Sequence, residues 1–186
     1  MKIISGEHKG RIIKTGTGPG YRPATGKVRE SLFSIIESRG QTWPGTEVLD
    51  IFAGSGALGL EALSRGAQSA LFVEKAARAC AIIRQNISAL NIAPHKAGVI
   101  RGDALTFIRK KSQQKFDLVF VDPPYGLGLV EPCLDGLIKS GLIRPGGLIS
   151  AEVEARIQPE LNYPQDLELI VDRHFGQTRI IIWKKN

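Results

Sequence analysis

The feature that most limits the possible folds is an apolar run that stops at two prolines. Residues 118–121, Leu-Val-Phe-Val, are rich in β-forming side chains, which is typical of a strand buried on both faces of a sheet. Pro123 and Pro124 have no N–H to donate to a neighbouring strand, so the strand must end near Asp122. The sequence therefore predicts a carboxylate, two stiff prolines and the ring of Tyr125 at the carboxyl edge of a covered sheet, where open α/β sheets bind ligands.

Short apolar runs and helical periodicities alternate along the rest of the chain. The predicted strands are residues 47–52, 69–73, 98–101, 118–121 and 148–153, with a closing pair at 167–171 and 179–183. Apolar residues at helical spacing fill most intervals, and residues 144–147, Arg-Pro-Gly-Gly, predict a turn. This alternation indicates an α/β fold with a doubly wound, mostly parallel, Rossmann-like sheet of seven strands.

The first 40 residues form a small hairpin–helix extension in this prediction, and residues 41–186 form the main domain. Short β-like runs at 2–4 and 11–14 predict the hairpin, and Thr25 is a suitable N-cap for the helix that follows. Residues 1–40 contain eight Lys or Arg against three Glu, whereas residues 41–186 contain 17 basic against 15 acidic side chains. This concentration predicts a nucleic-acid contact surface, although a face that only aids solubility would have the same composition.

Four acidic residues lie at or just after the ends of successive predicted strands. They are Asp50, Glu74, Asp103 and Asp122. Because the carboxyl ends of parallel strands meet at one edge of the sheet, we expect a single cleft for a polar, partly cationic ligand. Taken singly, each could be a helix N-cap or a solvated loop end, and for Asp103 this alternative is strong because a helix follows it directly.

A glycine turn after the first strand leaves two kinds of cofactor open. Gly54-x-Gly56-x-x-Gly59 matches the dinucleotide fingerprint, with Glu74 at the spacing of the ribose-binding acid. However, Asp50 places negative charge where a pyrophosphate would bind, and S-adenosylmethionine has no phosphate and carries two cationic groups. We therefore predict S-adenosylmethionine, with Glu74 accepting from the ribose hydroxyls and Asp103 from the adenine amino group. The expected cofactor-binding residues are Asp50, Gly54, Ser55, Gly56, Glu74, Asp103, Ala104 and Asp122.

The Asp122-Pro123-Pro124-Tyr125 motif has the groups needed to hold an amine on a planar ring. The Asp122 carboxylate and a prolyl-flanked backbone carbonyl can each accept a hydrogen bond. The Tyr125 ring can stack on a base, which is worth about 1–3 kcal/mol. We expect these four residues to be the catalytic motif, although a rigid turn with a surface tyrosine would have the same sequence.

On these residues the sequence resembles the amino-methylating class I methyltransferases and, more closely, the RsmD family. The similarity covers nearly the whole chain. It includes Arg22-Pro23-x-Thr25, residues 28–33 (Val-Arg-Glu-Ser-Leu-Phe), residues 49–56 around the glycine turn, residues 60–67, Val73-Glu74 and the Asp122–Tyr125 motif. Ala24 and Gly26 stand where the family usually has Thr and Asp.

The resemblance implies methylation of the exocyclic N2 amine of a guanine in small-subunit (16S) ribosomal RNA. It implies a base extruded from its loop, stacked on Tyr125, with its amine held by Asp122 and the Pro123 carbonyl. The substrate is then ribosomal RNA or the small ribosomal subunit, late in assembly or complete. The residues expected to contact the substrate are Arg11, Lys14, Arg22, Thr25, Lys27, Arg29 and Tyr125.

Three alternatives remain open at this point. An adenine-N6 methyltransferase acting on DNA or RNA would share the Asp-Pro-Pro-Tyr motif, since adenine also presents an exocyclic amine. A nicotinamide oxidoreductase would share the glycine turn. An RNA-binding module with a vestigial cleft would share the basic extension.

The remaining composition predicts a cytoplasmic protein without a metal, and we expect this protein to act as a monomer. Cys80 and Cys133 lie in separate helical patterns and are expected to be reduced core residues. His8, His95 and His174 lack ligand spacing, so we expect no metal site. No apolar run approaches the roughly 20 residues that span a bilayer, so we expect no membrane partner.

Overall fold

The computed structural model describes residues 1–16, 26–110, 114–155 and 165–186, which form a sheet covered by helices. The strands are β1 (Glu47–Ile51), β2 (Ser69–Glu74), β3 (Ala97–Arg101), β4 (Phe116–Val121), β5 (Ile143–Glu154), β6 (Leu167–Phe175) and β7 (Thr178–Lys185). The helices are α1 (Gly26–Ser38), α2 (Ala57–Arg65), α3 (Ala77–Ala89), α4 (Ala104–Arg109) and α5 (Val130–Ser140).

The strands form one seven-stranded sheet in the order β3-β2-β1-β4-β5-β7-β6. β1 to β5 pair in parallel, and β7 is antiparallel to both β5 and β6. The chain leaves β1 for β2 on one side and later returns to β4 on the other, so the strand order reverses between β1 and β4. The predicted doubly wound, mostly parallel sheet is confirmed, and this reversal is the place where such sheets bind ligands.

Apolar side chains cover both faces of the sheet. On β4, Leu118 and Phe120 belong to one core cluster, whereas Val119 and Val121 belong to the other. All four are at most 1% exposed, so a continuous apolar run without polar alternation corresponds here to a strand buried on both sides.

The N-terminal segment is attached to the main sheet through α2. Lys2 and Ile12 form an antiparallel bridge, which confirms hairpin-like pairing in this segment. The fully buried Glu61 carboxylate accepts hydrogen bonds from the backbone N–H of Ile4 at 2.7 Å and of Ser5 at 3.0 Å. A buried carboxylate is tolerated only when it is partnered in this way, so Glu61 fixes the segment against the helix.

α1 packs on the same core as the sheet. The ring of Phe33 lies 5.7 Å from that of Phe120 on β4 and 5.5 Å from that of Trp43. Within the described ranges no helix has the length and apolar character needed to cross a membrane.

The candidate active site

A cavity of about 530 Å³ opens at the carboxyl edge of the sheet, around the point where the strand order reverses. Its wall includes all four acidic residues predicted from the strand ends, namely Asp50, Glu74, Asp103 and Asp122. Gly54, Ser55, Ala104 and the Pro123-Pro124-Tyr125 segment line the same cavity. The structure therefore brings together every residue expected to bind the cofactor except Gly56, which does not line the cavity and has its backbone in the left-handed region at φ 77°.

The glycine turn is held closed by Asp50 and by close packing at Gly59. The Gly59 N–H donates to Asp50 Oδ2 at 3.0 Å. A Cβ on Gly59 would lie 2.4 Å from Cε1 of Phe72, so only glycine lets α2 approach β2 this closely. Burial raises the pKa of Asp50 to about 7, against the effect of the Gly59 hydrogen bond and with a further contribution from the Glu74 charge.

Glu74 connects the end of β2 to the glycine turn. Its Oε2 accepts from the Gly54 N–H at 2.9 Å, and its Oε1 accepts from the Ala76 N–H at 2.7 Å. Each carboxylate oxygen has a second lone pair, so the acceptor capacity needed to bind hydroxyl groups is still present. Binding of ribose by Glu74 stays a prediction.

Asp103 is both a helix cap and part of the cavity wall. Its Oδ1 accepts from the backbone N–H of Thr106 at 2.9 Å and from the Thr106 hydroxyl at 3.0 Å. These hydrogen bonds hold the pKa of Asp103 below its usual value. The N-cap alternative is therefore correct for Oδ1, while Oδ2 takes no hydrogen bond from the described residues and is the oxygen left for a ligand.

The Asp122-Pro123-Pro124-Tyr125 motif follows β4 directly. Asp122 is half-buried, and Tyr125 is 37% exposed at the mouth of the cavity. Burial first, then the neighbouring charges of Glu152 and Asp50, raise the pKa of Asp122 well above its usual value. The Tyr125 hydroxyl donates to Glu152 Oε1 at 3.1 Å, which fixes the position of an otherwise exposed ring.

Glu152 is a residue of this site that the sequence analysis missed. It lies near the end of β5, is 8% exposed, and its carboxylate also accepts from the Thr178 hydroxyl at 3.4 Å. A carboxylate inside the apolar run of residues 148–153 was the available signal, because an acidic side chain is rarely buried in a strand unless it has a partner.

The basic residues of the N-terminal segment divide into an exposed and a buried group. Arg11, Lys14 and Lys27 are exposed. The Arg11 guanidinium donates to the Ala89 carbonyl at 2.6 Å, and Lys14 Nζ donates to Gln85 Oε1 at 3.2 Å. Arg22 and Thr25, also predicted to contact the substrate, lie outside the described residues.

Arg29 is placed differently from the prediction, which set it on the phosphate-contacting surface. It is 2% exposed, lines the cavity and donates to the Lys2 carbonyl at 2.6 Å. Burial lowers the pKa of Arg29, against the attraction of Glu61. A side chain this buried cannot reach an RNA backbone outside the protein, so Arg29 is removed from that surface and assigned to the cavity wall.

Asn86 links the basic N-terminal segment to the glycine turn. Its Oδ1 accepts from the Lys14 N–H at 2.8 Å, and its Nδ2 donates to the Lys14 carbonyl at 2.9 Å and to the Ser55 carbonyl at 3.0 Å. The side chain is 1% exposed. One buried amide therefore fixes the backbone of the exposed surface relative to the cavity.

A parallel sheet whose seventh strand is inserted antiparallel beside the fifth, with a glycine turn after the first strand, is the architecture of class I methyltransferases. The solved structure described as "Putative methyltransferase yhhF from Escherichia coli" superimposes with a TM-score of 0.86 and 32% identity, covering 100% of this chain and 98% of that chain. The methyltransferase interpretation is thereby confirmed over the nicotinamide alternative.

The chain belongs to the family described as "Conserved hypothetical protein 95", whose family model matches residues 1–184. It is 35% identical over 188 residues to "Putative rRNA methyltransferase YlbH" of Bacillus subtilis, covering 100% of this chain and 99% of the relative. It is 39% identical over 157 residues to "Ribosomal RNA small subunit methyltransferase D" of Escherichia coli, covering 83% of this chain and 75% of the relative. The predicted resemblance to the RsmD family is confirmed.

Proposed function

We propose that this protein transfers a methyl group from S-adenosylmethionine to the N2 amine of a guanine in small-subunit (16S) ribosomal RNA. The observation that carries the proposal is the group of carboxylates around one cavity. Asp50, Glu74 and Asp122 line it, and none of the three forms a salt bridge with a described residue.

The residues of the cavity fit S-adenosylmethionine better than a dinucleotide. Burial and the charges of neighbouring carboxylates raise the pKa of Asp50 and of Asp122, and the cavity wall contains more carboxylates than the cationic side chains Arg29 and Lys75. A ligand with a sulfonium and an ammonium reduces this excess of negative charge, whereas a pyrophosphate would add to the repulsion. When bound, S-adenosylmethionine supplies an electrophilic methyl group.

The Asp-Pro-Pro-Tyr motif holds the acceptor amine in this proposal. Asp122 and the Pro123 carbonyl accept hydrogen bonds from the amine, which favours the pyramidal form with a reactive lone pair. The exposed ring of Tyr125 provides a stacking face for the extruded base. The protein therefore contributes orientation and fixed acceptors at the reacting end of the cavity.

The RNA substrate is supported by the names of the relatives and by the exposed basic residues. Arg11, Lys14 and Lys27 are available to contact phosphates, and we also assign this role to Arg22, with Thr25 as a polar contact. We propose that residues 1–40 carry this contact and that the protein acts in the cytoplasm as a monomer on ribosomal RNA or the small subunit. Light scattering of the purified protein tests the last point, since a stable dimer would contradict it.

Labelled methyl transfer to under-methylated small ribosomal subunits, followed by nucleoside analysis, tests the proposed function. We expect label in N2-methylguanosine, and label in N6-methyladenosine would instead establish the adenine-N6 alternative. Asp122→Asn should lose far more in transfer rate, at least about 100-fold, than in affinity for S-adenosylmethionine measured by calorimetry, because the amine loses a charged acceptor. Tight RNA binding without any transfer by the unmodified protein would favour the RNA-binding module.

A further inference from the structure

We propose that Glu152 is a positioning residue of the active site, which holds the Tyr125 ring and makes Asp122 the acceptor of the proton released during methyl transfer. This inference rests on the proposed function and extends it to a residue outside the Asp-Pro-Pro-Tyr motif. Its basis is the register of two neighbouring strands together with one hydrogen-bond network.

The register of the sheet places Asp122 and Glu152 side by side. The parallel ladder of β4 and β5 pairs Phe120 with Ser150 and ends with Val121 beside Ala151. Because side chains alternate between the two faces of a strand, the next residues, Asp122 and Glu152, project from the same face as neighbours. Like charges on adjacent strands repel each other, so this pair is unfavourable unless it serves a ligand or shares a proton.

The described partners of Glu152 are hydroxyl groups and no cation. Oε1 accepts from the Tyr125 hydroxyl at 3.1 Å and from the Thr178 hydroxyl at 3.4 Å. Hydroxyls hold the carboxylate in place without neutralising its charge. Glu152 therefore performs two tasks at once, because it anchors the ring expected to stack on the base and acts electrostatically on Asp122.

Other charged groups line the same cavity as Asp122. The carboxylates are Asp50 and Glu74 from β1 and β2 and Asp103 before α4, and the cations are Arg29 from α1, Lys75 after β2 and the terminal ammonium of Met1, which donates to the Ile13 carbonyl at 3.1 Å. Glu152 and then Asp50 are the charges that act most on Asp122. Removing the charge of Glu152 alone should therefore have a measurable effect on the proton affinity of Asp122.

Methylation of an amine requires a proton acceptor. As the nitrogen–carbon bond forms, the sulfur–carbon bond breaks and leaves its electron pair on sulfur, and the nitrogen then has one proton too many. That proton passes to a carboxylate oxygen of Asp122, which already accepts a hydrogen bond from the amine. The negative charge of Glu152 raises the proton affinity of Asp122, so the transfer is favourable.

The first test is a direct titration of Asp122 in the protein without cofactor. Carbon NMR of protein labelled at aspartate carboxyl groups follows Asp122, whose signal is assigned by its loss in Asp122→Asn. In Glu152→Gln, which keeps an acceptor for Tyr125, the midpoint should move about one pH unit or more to lower pH, the usual direction when a like charge is removed. Glu154→Gln is the matched control, since it removes a buried carboxylate from the same face of β5 and should leave the midpoint unchanged.

The second test is the pH profile of methyl transfer. The ratio of kcat/KM for Glu152→Gln to that of the unmodified protein should rise about tenfold as the pH falls by one to two units through the acidic limb. Glu152→Ala, which also removes the acceptor for Tyr125, should in addition raise KM for RNA several-fold, and Glu152→Gln should not. An Asp122 midpoint and a pH profile that are the same in Glu152→Gln as in the unmodified protein would overturn the inference while leaving the proposed function intact. Absence of transfer by the unmodified protein would overturn the proposed function.

Discussion

Replacing Asp50 with asparagine should stabilise the ligand-free protein, and the gain should grow with pH. Burial raises the pKa of Asp50 from 3.8 to about 7 in the folded protein, whereas in the unfolded chain the carboxyl ionises near its ordinary value. Between these two values the folded state binds more protons, so the free energy of unfolding falls as the pH rises. The two pKa values differ by about three pH units, and each unit corresponds to about 1.4 kcal/mol. Ionised Asp50 therefore lowers the free energy of unfolding by about 4 kcal/mol above pH 7.

Asparagine keeps an oxygen for the Gly59 N–H but loses the charged form of that hydrogen bond, which is worth about 1 kcal/mol. The net gain should therefore be about 3 kcal/mol near pH 8 and close to zero or slightly negative near pH 4. Urea unfolding of both proteins across this range, without S-adenosylmethionine, measures the difference.

Asp135→Asn provides the control for this experiment. Asp135 is 58% exposed and pairs with Lys139 at 2.6 Å on the surface of α5, so its replacement should change the unfolding free energy by less than about 1 kcal/mol. A stability difference for Asp50→Asn that does not change with pH would refute the electrostatic argument. In calorimetry the same variant should bind S-adenosylmethionine more weakly, because the cationic ligand loses a carboxylate.

Three further predictions concern the turn, the N-terminal segment and the RNA surface. Gly59→Ala should destabilise the protein by about 1–3 kcal/mol in urea unfolding, because its Cβ would lie 2.4 Å from Phe72. The control Gly26→Ala should not destabilise it, because the new Cβ would have no described residue within 4 Å. Asn86→Ala should lower the free energy of unfolding by about 2–4 kcal/mol, because three backbone groups lose their hydrogen-bond partner. It should also speed hydrogen exchange of the Lys14 amide. The control Gln85→Ala, which removes a partner of the Lys14 side chain only, should leave that amide protected. Arg11→Ala with Lys14→Ala should weaken RNA binding and lower its salt slope by about 0.7–0.9 for each lost phosphate contact, and an unchanged slope would show that these residues serve only solubility.

The fold could be predicted from the sequence because each buried parallel strand is a short apolar run and each helix has its own spacing. The predicted strand bounds were wrong where turn-forming residues lie within a strand of the sheet. Residues 144–147 contain Pro145 and Gly146 and were predicted as a turn before a strand that starts at Leu148. The strand β5 instead begins at Ile143, although residues 144–147 have no partner in the ladder with β4, which passes from the Phe116–Ile143 pair to the Leu118–Leu148 pair. The ladder with β4 shifts its register there, which accommodates the proline, and Arg144 is held by Asp117 at 2.8 Å across the strands. The sequence does not encode such a shift in any local pattern.

Site residues that directly follow a strand could be predicted from the sequence, whereas residues whose position depends on the register between strands could not. Asp50, Glu74 and Asp122 could be found because strand ends meet at one edge. Glu152 could not be placed beside Asp122 before the pairing of β4 and β5 was known.

For Arg29 the helical spacing and the local charge lead to opposite predictions, because the spacing predicts a buried side chain and the charge predicts an exposed one. Together with Leu32, Phe33 and Ile36 it lies at positions i, i+3, i+4 and i+7 of α1, and all four are buried. That spacing indicated a place on the core face, whereas the prediction used only its charge and its neighbours Lys27 and Arg22.

The acidic cavity and the basic N-terminal segment are physically linked, so a ligand bound in the cavity should affect both. Asp50, Asp122 and Glu152 have raised pKa values chiefly because they are buried, and ionising them costs folding free energy that the fold itself does not recover. A cationic ligand lowers that cost only while it is bound, so binding should release protons and stabilise the glycine turn. Asn86 connects that turn to the backbone of Lys14. A ligand that rigidifies the glycine turn should therefore also rigidify the surface proposed to contact RNA and so strengthen RNA binding. By thermodynamic linkage, bound RNA should then strengthen ligand binding by the same factor.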